Sequence, residues 1–335
     1  MTASTMRSYS LYATLFLLSL LRTEFLSTAL VIRISQTGND TSFCLESNGT
    51  MPCKSVGYAL GAPWNRKNYN ETEFIFSIEY HNYSLGERVI INQPSAAKSL
   101  YLIGANPDRS RSLIICNHTS AGIEVGTRAK NGTNSHTTRN VFFQNLEFQN
   151  CGPDLAAVVL IWNSVNVNFT NCVFRHNSQA GINAFNSGVT IENCHFVNNT
   201  SNVHNSSEPY REGITSAGGG AGFIFHDAKN LSLLIRDSTF ENNVAAMDDS
   251  KYYVTGPQYN MFITHGGGVL IVFRGNTKHC QVAIVNTTFS HNNATVGGGI
   301  YLEQGNKASG NKYKVTNLNF TGNFAAQTGG GLTFS

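Results

Sequence analysis

Any chemistry in this sequence would have to come from a small set of side chains. Acids come first, because cleaving a glycosidic bond takes two carboxylates held about 5–10 Å apart. Asp154, Asp227, Asp237, Asp248 and Asp249 are scattered along the chain, and the only adjacent pair, Asp248 and Asp249, falls in an insertion between regular segments. That pair reads as a solvated loop rather than a site. His176 and His291 have no partner at a metal-binding spacing and read as exposed turn residues. "THGGG" from Thr264 has the glycines of a phosphate cradle without the Lys or helix that would complete it. No catalytic residue, cofactor site or metal site is therefore expected. Nucleic acid is excluded as a partner on charge, because a net +3 without a clustered Lys/Arg face cannot neutralise many phosphates.

The N-terminus predicts export. Arg7 precedes the apolar run Leu11 to Leu21, and small residues at Ser27 and Ala29 suit cleavage, so residues 1–29 read as a signal peptide with the mature chain starting near Leu30. The run is short for a bilayer span, which needs roughly 20 residues. Asn-x-Ser/Thr sequons occur at Asn39, Asn48, Asn70, Asn82, Asn117, Asn131, Asn168, Asn198, Asn199, Asn205, Asn230, Asn286, Asn293 and Asn319. About seven would arise by chance in a chain so rich in Asn, so a roughly twofold excess supports a glycosylated, exported product. Seven cysteines suit disulfides in such a compartment, and the odd number leaves at least one unpaired within the chain. Cys44 and Cys53, in "CLESNGTMPC", are the best candidates for a small closed loop.

The elements that would carry these residues show in a repeat. "NCVFRHN" at Asn171 returns as "NCHFVNN" at Asn193, "NTTFSHN" at Asn286 and "NLNFTGN" at Asn317. Superposed on Phe148, Phe174, Phe196, Phe240, Phe289 and Phe320, the copies show apolar residues seven and five positions earlier, such as Val167/Phe169 and Val189/Ile191. That is a strand with one face buried. The Phe and the residue two before it form a second inward-facing pair, of the opposite parity. A parity switch demands a bend, and Asn or Asp three before the Phe (Asn145, Asn171, Asn193, Asp237, Asn286, Asn317) tolerates the left-handed conformation of a corner. Asn177, Asn199, Asn243, Asn292 and Asn323, three after the Phe, are read as the next corner. "GGG" at Gly218, Gly266, Gly297 and Gly329 then leads into a further strand.

Strand, Asn corner, strand, Asn turn, Gly corner, strand is one rung of a right-handed parallel β-helix, stacked about 4.8 Å from the next. The fold class is therefore all-β, a single-stranded solenoid. Insertions at Thr200 to Ala217, Val244 to His265 and Glu303 to Lys312 would leave at turns. Cys172 and Cys194 share a column on successive rungs, as a disulfide or a buried thiol stack.

From Asn140 to Ser335 the pairing of GGG plus an apolar run with FxxN resembles the repeats of polymorphic outer-membrane proteins among bacterial autotransporter adhesins, and more broadly the pectin-lyase-like β-helix superfamily. Enzymes of that superfamily imply Ca²⁺ held by several acids and an Arg or Lys base, but pectinase-type acidic doublets with "GHG" and "RIK" are absent. Sequons and cysteines depart from the bacterial pattern, and "GNDTSFCLESNGTMPCKSVGYAL" from Gly38 resembles the start of secreted animal β-helix ectodomains. Val56, Ala59 and Leu60 would lie on one face of a short helix covering the solenoid's open end.

The resulting expectation is a signal peptide (1–29), an N-terminal loop and capping helix (30–65), and a β-helix (66–335) that stops inside a strand, as a fragment would. Its function is expected to be non-enzymatic recognition or adhesion outside the cell, of a protein or glycan ligand. Tyr210, Tyr252, Tyr253 and Tyr259 are candidate contacts, and membrane attachment would come only through a region beyond Ser335. The alternatives are a polysaccharide lyase or glycosidase on the same fold, and a structural spacer.

Overall fold

The computed structural model describes residues 29–46, 48–61, 73–80, 82–91, 99–106, 110–117, 121–126, 138–152, 157–202, 218–246 and 264–335. Their strands form three sheets in which every pairing joins one turn of the chain to the next in parallel. The first sheet is 15-stranded and bends into two arms. One arm includes Ser164–Thr170, Val189–Glu192 and Ser232–Arg236; the other includes Val173–Arg175, His195–Val197 and Thr239–Glu241. Gln281–Ser290 and Lys312–Thr321 run through both arms. The second sheet is 8-stranded, from Arg88–Ile91 to Leu332–Phe334, and the third has four short strands. The architecture is an all-β parallel solenoid.

The predicted corner is where the arms meet. Asn145, Asn171, Asn193, Asp237, Asn286 and Asn317 all adopt left-handed φ, between 49° and 56°. Because side chains alternate along a strand, this single left-handed residue lets Phe169 and Phe174 both point inward across it. The repeat phenylalanines then stack ring on ring, with centroids 5.1 Å (Phe148–Phe174), 4.9 Å (Phe174–Phe196), 4.5 Å (Phe196–Phe240), 5.1 Å (Phe240–Phe289) and 5.3 Å (Phe289–Phe320) apart. The rung spacing of about 4.8 Å sets those distances.

The same stack explains why GGG travels with FxxN. A Cβ at Gly220, Gly268 or Gly299 would stand 2.8, 2.9 or 2.9 Å from a ring carbon of Phe240, Phe289 or Phe320. The same Cβ would stand 2.7, 2.6 or 2.5 Å from the carbonyl oxygen of the third glycine on the next rung, so ring and backbone together require glycine at these three positions, whereas Gly331 keeps 3.4 Å from the Phe320 ring.

Three expectations need correction. Asn177, Asn199, Asn243 and Asn292 are not the second corner: they are buried, and the left-handed residues are the ones before them, His176, Asn198, Asn242 and His291. The buried amides form a ladder, each Nδ2 donating to the next Oδ1, at 2.8 Å (Asn177 to Asn199), 2.9 Å (Asn199 to Asn243), 3.0 Å (Asn243 to Asn292) and 2.9 Å (Asn292 to Asn323). Next, Thr200–Asn202 and Val244–Ala246, assigned to insertions, are strands of the third sheet, as are Asn293–Val296 and Phe324–Thr328. Each full rung therefore has four strands rather than three. Finally, Ala29–Ile34 pairs with Glu73–Ile78, so a strand of the stack precedes the N-terminal helices.

The expected cap helix is Val56–Gly61, with Val56, Ala59 and Leu60 buried. Tyr83 Oη accepts from the Val56 N–H at 3.0 Å, and Tyr80 Oη donates to the Lys54 carbonyl at 2.7 Å, tying the cap to the first rungs.

Candidate functional site: the outer columns of the solenoid

Among the described residues the inward side chains are buried in an apolar core, so those that face outward are the outer columns and the turns. In-register stacking makes each column readable from strand pairing. On the first sheet Gln144, Thr170, Glu192, Arg236 and Val285 follow one another. On the second, Glu124, Leu160, Asn183, Gly222, Leu270 and Tyr301 do. Among the described residues no outward column of these two sheets carries two carboxylates on paired strands.

Four sheet carboxylates instead meet an arginine on a neighbouring rung: Glu124 with Arg88 at 2.7 Å, Glu147 with Arg175 at 2.6 Å, Glu192 with Arg236 at 2.7 Å, and Glu303 with Arg274 at 3.5 Å, while Glu241 accepts from Asn242 Nδ2 at 3.5 Å. Glu79 holds Arg33 bidentately, at 2.7 and 2.6 Å, and this raises the pKa of the guanidinium. Acids spent this way are neutralised laterally. They are not arranged as an acid and base across a cleft.

The sequence-predicted residues fall as follows. Asp227 accepts from the Asn276 N–H at 2.6 Å and lies 3.2 Å from His226 Nδ1, bracing a turn. Asp237 sits in the corner column, where it accepts from Asn286 Nδ2. Asp154, Asp248, Asp249 and the four tyrosines Tyr210, Tyr252, Tyr253 and Tyr259 lie outside the described residues. His176 and His291 are exposed turn residues, and among the described residues no His/Cys/Asp/Glu group is arranged to hold a metal.

Of the sequons, Asn39, Asn48, Asn82, Asn117, Asn198, Asn230, Asn286, Asn293 and Asn319 are exposed, and Asn168 is half-buried. Asn199 is fully buried within the ladder, which is incompatible with carrying a glycan in this fold. Asn70, Asn131 and Asn205 lie outside the described residues.

Cys44 and Cys53 form a disulfide, as the loop predicted. A second, Cys116–Cys151, was not anticipated. Its signal was Cys151 breaking the Asn column: the Cys151 N–H donates to Asn177 Oδ1 at 3.0 Å, so the ladder ends at a covalent tie. Cys172, Cys194 and Cys280 are free and buried. Cys172 and Cys194 are thiols rather than a bridge, the Cys172 N–H meeting Cys194 Sγ at 3.4 Å. Burial, reinforced by the Cys172 thiol, pushes Cys194 well above an ordinary thiol pKa.

The second sheet holds a further unanticipated feature. Its outward residues Leu160, Phe185, Ile224, Leu270, Val272 and Tyr301 are buried and form an apolar cluster with Trp162 packed against it. The unbroken runs "VVLIW" and "VLIVF" were the signal, since strands buried on both faces lose their alternation. His265 lies against Tyr301 of this cluster, ring centroids 4.2 Å apart and planes tilted by 40°, and burial lowers its pKa.

Among the described residues no helix is long and apolar enough to cross a membrane. No curated protein sequence matches the chain. One solved structure that the chain matches is a rhamnogalacturonan lyase, 10% identical, covering 81% of this chain and 72% of its own, with a TM-score of 0.36. Residues 103–335 match the family profile described as "Right handed beta helix region". That match spans most of the stacked rungs just described, and the chain belongs to the right-handed β-helix family.

Proposed function

We propose that this chain is the β-helix of an exported, glycosylated extracellular or cell-surface protein, and that it recognises a protein or glycan partner through its outer columns without cleaving it. The observation that carries this reading is the dispersal of the described carboxylates, four of which are paired with an arginine on the adjacent rung. A rigid rod with a repeating outer surface binds through many modest contacts, whose sum is set by simultaneous engagement. Two disulfides suit an oxidising compartment, and nine exposed sequons suit passage through a glycosylating one. The pairing of GGG with FxxN supports a repeat of the polymorphic outer-membrane type, carried here on an ectodomain.

The test offers the full chain, secreted from eukaryotic cells, to immobilised polysaccharides and cell-surface extracts, scoring retention and new reducing or unsaturated chain ends separately. Retention without new ends is expected. Turnover that is lost in an Asp248→Asn, Asp249→Asn variant would replace this reading with a carbohydrate-active enzyme.

A further inference from the structure

Two sequons overlap in "NNTS", Asn198 to Ser201: Asn198 is completed by Thr200 and Asn199 by Ser201. The sequence does not choose between them, and the fold does. Asn198 is exposed, in the left-handed turn position (φ 54°), on the outer edge between the turn residues His176 and Asn242 of the adjacent rungs. Asn199 is wholly buried. Its Nδ2 spends both protons, one on the Phe174 carbonyl at 2.9 Å and one on Asn243 Oδ1 at 2.9 Å, while its Oδ1 accepts from Asn177 Nδ2 at 2.8 Å.

We infer that Asn198 is the N-glycan acceptor of this pair and that Asn199 is reserved for the ladder. The inference rests on the export reading above. In the transfer, Asn198 Nδ2 attacks the anomeric carbon of a polyisoprenyl-diphosphate-linked oligosaccharide. The new C–N bond replaces the C–O bond to phosphate, the lipid diphosphate leaves with the electron pair, and the amide gives up one proton. At Asn199 the same substitution removes an N–H that the ladder uses and puts a sugar where Phe174 and Asn243 already sit. A chain modified there before folding could not close the rungs on either side, so it would not reach the secreted pool. At Asn198 the glycan projects from the turn and leaves every ladder bond in place.

The full chain is secreted from glycosylating cells, and its N-glycans are released enzymatically in H₂¹⁸O, which marks each formerly occupied Asn as ¹⁸O-Asp for peptide mass spectrometry. The mark is expected at 198 and absent at 199. Thr200→Ala, which destroys only the first sequon, is expected to lose this glycan, and Ser201→Ala, which destroys only the second, to keep it. A mark at 199, or a bare pair in a chain glycosylated elsewhere, overturns the assignment and leaves export standing. A chain bare at every sequon, or one never secreted, overturns both.

Discussion

Truncating Asn243 tests the buried ladder most sharply. Its Oδ1 accepts from the Asn199 N–H at 3.1 Å and from Asn199 Nδ2 at 2.9 Å, and its Nδ2 donates to the Phe196 carbonyl at 2.9 Å and Asn292 Oδ1 at 3.0 Å. In Asn243→Ala, Asn292 Oδ1 keeps the Asn243 backbone N–H, at 3.0 Å. The Asn199 N–H, one Asn199 amide proton and the Phe196 carbonyl lose the partner they had. Buried groups left this way cost about 1–3 kcal/mol each, and with partial rescue by an entering water the expected loss is about 3–5 kcal/mol. Asn243→Asp is expected to be at least as damaging, because a carboxylate cannot donate and would set a buried charge against two oxygens. Asn323 makes the same kind of contact with Asn292 but is partly exposed in this chain, so Asn323→Ala in this chain should cost only about 1 kcal/mol. Urea unfolding followed by circular dichroism gives the totals, and amide exchange across residues 194–202 and 239–246 should locate the loss. An Asn243→Ala midpoint indistinguishable from the parent, or equal to that of Asn323→Ala, would refute the ladder's role.

Further outcomes follow from the same packing. Cys194→Ser should be nearly neutral and Cys194→Ala destabilising, because Ser238 already plays this part with a hydroxyl, its Oγ accepting from the Cys194 N–H at 3.1 Å and donating to the Arg236 carbonyl at 2.7 Å; thermal melts separate the two variants. Opening the Cys116–Cys151 bridge, which spans 35 residues, should lower stability in urea by about 3–4 kcal/mol if loop entropy dominates. Gly268→Ala would put a methyl 2.6 Å from the Gly299 carbonyl oxygen and 2.9 Å from the Phe289 ring, and should lose about 1–3 kcal/mol or fail to be secreted. His195 and His265 have pKa values lowered first by burial, then by Arg111 for His195 and by Arg274 for His265, with Glu303 opposing the latter shift. Their contribution is complete above the unfolded pKa near 6.5 and is lost as pH falls through the lower folded values. The fall in unfolding midpoint between pH 7.5 and 5.5 should therefore shrink when both histidines become Asn.

The repeat was legible because its constraints are local. Asn at the first corner answers to a backbone angle, and that column admits Asp237 because a carboxylate reaches the left-handed region as readily as an amide. The second Asn column misled because Asn is also the commonest turn residue. Its own composition held the correction: it admits no Asp, Gly or Ser, and only Cys151 breaks it. A ladder rung must both donate and accept, which Asp cannot do. The position before it, holding His176, Asn198, Asn242, His291 and Gly322, has the mixture expected of a true left-handed turn. The third sheet escaped notice because strands as short as Thr200–Asn202 leave no periodicity to read. The outer surface was the least legible part. Cross-rung pairs such as Glu147 with Arg175 join residues far apart in sequence, and they appear only once the register is known.

The covalent state of the secreted chain tests the account most directly, since it reads register and compartment together. Peptide mapping without reduction, after alkylation under native and then denaturing conditions, should find Cys44–Cys53 and Cys116–Cys151 bridged. Cys172, Cys194 and Cys280 should be thiols that react only once the chain is unfolded. A Cys172–Cys194 bridge would contradict the thiol column, and a chain kept inside the cell with all seven cysteines reduced would contradict the export on which the proposed function stands.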